Sequence, residues 1–123
     1  MANKKTISDS TLDRYWSKAV KKMWNYRCAV CGSTSIQAHH VVRRSKRVLR
    51  WDFRNGIALC PECHAWAHTT AGRMRVEMLM PMAYLAELDV PLVDYCHEHE
   101  LTRDEFRQEK LKELKELKEY LNG

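Results

Sequence analysis

The stretch "RNGIALCPECHAWAH", residues 54–68, decides the fold. It opens on Asn55-Gly56, a strong turn dipeptide. "GIALC" (56–60) is a short apolar run that reads as a strand returning in a wide hairpin. Pro61 suits the first turn of a helix, so "PECHAWAHTTAG" (61–72) reads as that helix, with Gly72 suited to ending it. On it, His64 and His68 stand four apart and share a face, a good geometry for two ligands of one ion. Cys60 and Cys63 form a C-x2-C knuckle at the strand–helix junction.

Moving toward the N-terminus, "VRRSKRVLRWDFRN" (42–55) reads as a basic loop with apolar anchors, and "SIQAHHV" (35–41) as the first strand of the hairpin. Neighbouring side chains of a strand point to opposite faces, so the adjacent His39 and His40 must diverge. Further back, "CAVCG" supplies a second knuckle, Cys28 and Cys31. Four thiolates in two such pairs match a closed, structural zinc site. Two disulfides and four free thiols are the competing readings; five cysteines is an odd number, and a reducing compartment disfavours disulfides. The pairs stand 28 residues apart, more than a common zinc ribbon loop needs, and the extra length holds the two histidines.

The outer segments read as helices. "DSTLDRYWSKAVKKMWN" (9–25) carries Leu12, Tyr15, Trp16, Ala19, Val20, Met23 and Trp24 at helical spacing, with Asp9, Ser10 or Thr11 as its cap. Pro81 and Pro91 break "EMLMPMAYLAELDVPLV" into short pieces. Thr102 and Glu105 form a capping box before "LTRDEFRQEKLKELKELKEYLN", where Phe106, Leu111, Leu114, Leu117 and Leu121 make an apolar stripe. That stripe either packs on the domain or makes a homodimer contact. "CHEH" at 96–99 reads as surface or core rather than a further metal site, and Cys96 as a small buried hydrophobe. Trp51, Phe53 and Trp66 read as core, with base stacking the alternative.

At 123 residues the chain suits a single domain: an N-terminal helix at 9–25, a metal-bearing centre at 28–71 and a helical region at 73–123. Residues 1–75 hold 15 Lys/Arg against 4 Asp/Glu, net +11, whereas residues 76–123 hold 6 against 12, net −6. A basic front half suggests a polyanion, most simply nucleic acid. "MANKKTISDS" lacks the apolar run of a signal peptide, and no stretch approaches the roughly 20 apolar residues of a membrane span. A cytoplasmic protein with no membrane partner is therefore expected.

The segments "CAVC", "AHHV" and "RNGIALCPECHAWAH" together resemble the HNH endonuclease family, the ββα-metal fold in its four-cysteine, zinc-bearing form. The resemblance covers residues 28–68, with His39-His40, Asn55, His64 and His68 in matching order and spacing. The leader "LDRYWSKAVKKMWNYRC" resembles that of small stand-alone phage nucleases. The fold class implied is α+β, a ββα-metal finger with a zinc knuckle pair and flanking helices. The resemblance implies His40 as general base and Asn55 as the residue that steadies the loop around it. It implies His39, His64 and His68 as ligands of a catalytic divalent ion, and hydrolysis to 3′-hydroxyl and 5′-phosphate ends. One departure is Gly56 where Leu is common, which bears on the packing of that strand.

The chemistry agrees with those roles. A neutral imidazole, with an ordinary pKa near ~6.5, suits a base at neutral pH. An ion with an open coordination position can relieve charge on phosphate and leaving oxygen. Of Mn2+, Ni2+, Zn2+ and Mg2+, an all-imidazole shell least suits Mg2+. If DNA is the substrate, Arg43, Arg44, Lys46, Arg47, Arg50 and Arg54 border the site and are the candidate phosphate contacts. The rival readings are a zinc-stapled DNA-binding module that does not cut, and an adaptor using the C-terminal helix.

Overall fold

Two four-residue strands and the helix after them form the centre of the structure, a computed structural model that describes residues 6–122. Strand β1 (Gln37–His40) pairs antiparallel with β2 (Gly56–Leu59), placing His39 opposite Ile57 and His40 opposite Gly56. Helix α2 (Pro61–Trp66) follows directly, with the N-cap at Cys60. This ββα unit is flanked by α1 (Asp9–Met23) on one side. Helix α3 (Thr70–Met78) packs on α2, α6 (Arg103–Asn122) packs on α1, and α4 (Met82–Glu87) and α5 (Leu92–Glu98) join α3 to α6. The fold is α+β of the ββα-metal type, as the sequence implies.

Two apolar clusters hold it. Leu12, Trp16, Ala19 and Val20 of α1 pack with Trp51, Cys96, Phe106 and Leu114. Ile57 and Leu59 of β2 pack with Cys28, Cys60, Ala67 and Val76 beneath the cysteine knuckles. All four residues of β2 are buried, which explains its continuous apolar run.

Gly56 sits where these two halves meet. A Cβ on it would lie 2.2 Å from Val20 Cγ2 and 2.8 Å from Trp16 Cζ2. Helix α1 therefore occupies the space a side chain here would need, which accounts for the departure from Leu. The Trp24 indole donates to the Gly56 carbonyl at 3.2 Å, and the Trp16 indole to the Asp52 carbonyl at 2.8 Å.

Local signals were displaced at three points. The α1 cap is Ser8, whose Oγ accepts from the Thr11 N–H at 3.1 Å, rather than Asp9, Ser10 or Thr11. The helix stops at Met23, because Asn25 and Tyr26 adopt left-handed backbone (φ 54 and 56) and turn the chain toward Cys28. Gly72 does not end α2. It lies buried in α3, where a Cβ would fall 1.9 Å from the Trp66 carbonyl oxygen, so its value is close approach. Thr69 separates the two helices: its hydroxyl donates to the Trp66 carbonyl at 2.6 Å and accepts from the Gly72 N–H at 3.1 Å.

The capping box of α6 is present, with Thr102 N–H to Glu105 Oε1 at 3.0 Å and Glu105 N–H to Thr102 Oγ1 at 3.1 Å. Its stripe packs on α1 inside the chain, with Phe106 and Leu114 buried and Leu111 and Leu117 half-buried. The surface on which a homodimer reading relied is thus largely spent on the domain itself. No described helix is long and apolar enough to cross a membrane.

Candidate metal centres and active site

The two knuckles meet at one end of the sheet. The Sγ atoms of Cys28, Cys31, Cys60 and Cys63 all lie within 4.8 Å of one another. Within each knuckle a backbone N–H points at the first sulfur: Cys31 N to Cys28 Sγ at 3.5 Å, Cys63 N to Cys60 Sγ at 3.3 Å. Cys31 and Cys60 sulfurs stand 3.5 Å apart, too far for a disulfide and about the edge of a tetrahedron built on ~2.3 Å zinc–sulfur bonds. Burial works against the Cys28 thiolate, but backbone hydrogen bonds from Cys31, Cys60 and Val30 win and take the thiol down to about 6. This donor set fits zinc.

A second cluster lies on one face of β1. The nitrogens of His39, His64 and His68 also fall within 4.8 Å of each other. Ring centroids are 4.7 Å apart for His39–His64, 5.6 Å for His39–His68 and 5.3 Å for His64–His68. His68 lies just past the end of α2, in the turn that leads to Thr69, yet remains on the side of His64. Burial, then the like charges of His64 and His68, lower the His39 pKa to about 4, so its ring is neutral and its lone pair available. Burial and His68 lower that of His64 as well. Three imidazoles converging on one point fit a first-row divalent ion.

Sequence reasoning missed Gln37. It shares the His39 face of β1, two residues away, and its amide oxygen accepts from His64 Nδ1–H at 2.8 Å. That bond fixes the tautomer and leaves His64 Nε2 for a metal. Strand alternation places it beside His39, but only the fold brings it to His64, 27 positions away.

His40 turns the other way, onto α1. Its ring stacks on the Trp16 indole, with centroids 3.7 Å apart and planes 5° apart. His40 Nε2 lies 2.8 Å from the Arg50 carbonyl oxygen. A carbonyl can only accept, so Nε2 carries the hydrogen and Nδ1 carries the lone pair. Burial holds the His40 pKa below its ordinary value, against the opposing effect of the Arg50 carbonyl bond. A cleft of about 660 Å³ wraps the end of β1 and is lined by His39, His40 and His64 together with Trp16, Ser17 and Arg43.

Asn55 stands at the centre of the 42–55 loop, fully buried at the end of a 3-10 turn (Phe53–Asn55). Its Oδ1 accepts from Val42 N–H at 2.7 Å; its Nδ2 donates to the carbonyls of Val42 at 2.9 Å and Leu49 at 3.1 Å. It thereby fixes the peptide next to the Arg50 carbonyl that orients His40.

The basic residues of the loop are less free than their number suggests. Arg50 is only 11% exposed and grips Asp13 through Nε at 3.1 Å and a terminal nitrogen at 2.9 Å. The Trp51 indole donates to the same carboxylate at 2.8 Å. Arg50 thus clamps the loop to α1. Arg44 pairs with Asp13 (3.1 Å), Lys46 with Asp89 (3.4 Å), Arg47 with Asp9 (3.7 Å) and Arg54 with Asp52 (3.3 Å). Among the described residues, Arg43 alone of the six has no carboxylate within ion-pair distance, and it lines the cleft. Trp51 is core and Phe53 half-buried against it, whereas Trp66 is exposed and not core as expected; Cys96 is buried while His97 and His99 face solvent.

A family model described as HNH endonuclease matches residues 28–70. The span contains both knuckles, the three converging histidines, His40 and Asn55. Neither the curated proteins nor the solved structures gave a match.

Proposed function

We propose that this chain, with its HNH endonuclease match over residues 28–70, is a metal-dependent endonuclease that hydrolyses DNA phosphodiester bonds. The observation that carries the reading is the division of labour across β1. His39 joins His64 and His68 on one side, while His40 turns to the other, with Nε2 tied to the Arg50 carbonyl. A pure binding module has no use for a neutral imidazole locked in one tautomer beside an open cleft, so the non-cutting alternative is less favoured.

In the proposed reaction His40 Nδ1 takes a proton from water as the water oxygen bonds to phosphorus. The P–O3′ bond breaks, leaving a 5′-phosphate and, once the departing oxygen gains a proton, a 3′-hydroxyl. Trp16 keeps the His40 ring in plane, and Asn55 holds the loop whose Arg50 carbonyl fixes the tautomer. Arg43 lines the cleft with no carboxylate within ion-pair distance among the described residues, and suits a phosphate oxygen. His39, His64 and His68 would hold a divalent ion, which when bound supplies charge neutralisation at the phosphate and the leaving oxygen. Cys28, Cys31, Cys60 and Cys63 would hold zinc as a staple for folding.

The test is nicking of supercoiled plasmid after mild chelation, with a panel of divalent ions added back. Chelation is expected to stop cutting while helix signal and one tightly held zinc per chain persist, and Mn2+ or Ni2+ to restore it. Failure to nick with every ion, or cutting indifferent to chelation, would defeat the reading.

A further inference from the structure

A second charged surface lies outside the cleft. Helices α1 and α6 enclose a groove of about 290 Å³, floored by Tyr15 and Leu114 and rimmed by Lys18, Lys21, Lys22 and Lys118. Among the described residues no acidic one lines it. Among the described residues, none of these four lysines has a carboxylate within ion-pair distance. The contrast with the 42–55 loop is direct: there, five of six cations are engaged by Asp9, Asp13, Asp52 and Asp89. Among the described residues, these lysines are therefore less restrained by carboxylates than the cations beside the histidines.

The groove and the cleft lie on neighbouring faces of α1 and share no lining residue. Ser17 lines the cleft and Lys21 the groove. They are one helical turn apart, about 6 Å along the axis of α1. Backbone leaving the cleft past Ser17 meets Lys21 next, and then the Lys18–Lys22 side of the helix. We infer that the lysine-rimmed α1/α6 groove binds the sugar-phosphate backbone of the substrate DNA flanking the scissile bond. This rests on the nucleic-acid half of the proposed function and not on hydrolysis. The contacts are charge on phosphate, so they add affinity without sequence preference.

The experiment is a salt titration of duplex DNA binding in a His40→Ala background, which prevents cutting. Three lysines on three phosphates contribute about 2.7 to the slope of log affinity against log salt, at ~0.9 each. The Lys18→Ala/Lys21→Ala/Lys22→Ala variant is expected to lower the slope by about that amount, and Lys118→Ala alone by about 0.9. Lys112→Ala, elsewhere on α6, is expected to leave it unchanged. In the His40 protein the triple-lysine variant should cut at the wild-type rate when DNA is saturating, with the loss confined to half-saturation. An unchanged slope in both the triple variant and Lys118→Ala overturns the groove. The two ideas separate cleanly: a protein that never nicks but loses slope keeps the groove and discards the nuclease, and a nicking protein with an unaltered slope does the reverse.

Discussion

The hydrogen bond from His64 Nδ1 to the Gln37 amide oxygen is the smallest feature on which the proposed ion site depends. Partners of this kind set ring orientation and tautomer, and their loss typically costs about 10–100-fold in metal affinity. Gln37→Ala is therefore expected to weaken Mn2+ or Ni2+ binding by that order in a calorimetric titration while the zinc content stays at one per chain. Unaltered affinity would show that His64 is held by packing alone. The histidines and cysteines were legible in the sequence because few other roles require those residue types at those intervals. Gln37 was not, since a glutamine near the start of a strand carries no signal until its neighbour's geometry is known. The Arg50 clamp was hidden for a related reason. Charge is visible in a sequence, but its partner Asp13 lies 37 positions away.

At the scale of elements, α1 does more than deliver the chain to the first knuckle. It supplies the Trp16 face for His40, the Asp13 clamp for the loop, and the wall against Gly56. Gly56→Ala is expected to destabilise the fold by about 1–3 kcal/mol through overpacking against Val20. Val20→Ala in the same chain should recover part of that cost, a coupling that a urea double-mutant cycle reads directly. Additive losses would place the strain elsewhere. The Asp13 clamp predicts a pH dependence. Burial raises the Asp13 pKa, but the Arg50 and Trp51 hydrogen bonds outweigh it and hold the carboxyl below its ordinary 3.8. A depressed folded-state value contributes stability above the unfolded value and loses it as pH falls through the folded one. The stability gap between wild type and Asp13→Asn should thus be full at neutral pH and close below about pH 4. A gap independent of pH would mean that the clamp's charge contributes nothing. Helix α1 was readable from its apolar spacing; its contact with Gly56 was not, because spacing names the buried face and not the element it meets.

Across the whole molecule, charge and chemistry are arranged on different elements. The ββα unit carries the two candidate metal clusters and His40, the aspartates restrain the loop cations, and among the described residues Lys18, Lys21, Lys22 and Lys118, with no carboxylate within ion-pair distance, lie on α1 and α6. The basic front half seen in composition pointed to a polyanion, but composition does not tell paired cations from free ones. Likewise the leucine stripe of α6 left two occupants open, and the fold resolves them by laying it on α1. The central claim is that His40, isolated from the other three histidines and locked in one tautomer, removes the proton from the attacking water. The most direct measurement is the single-turnover rate of plasmid cleavage by His40→Ala beside wild type, at saturating protein with DNA affinity matched. A loss of at least ~100-fold with binding and zinc content retained is the predicted result; cleavage by His40→Ala at near the wild-type rate would contradict it.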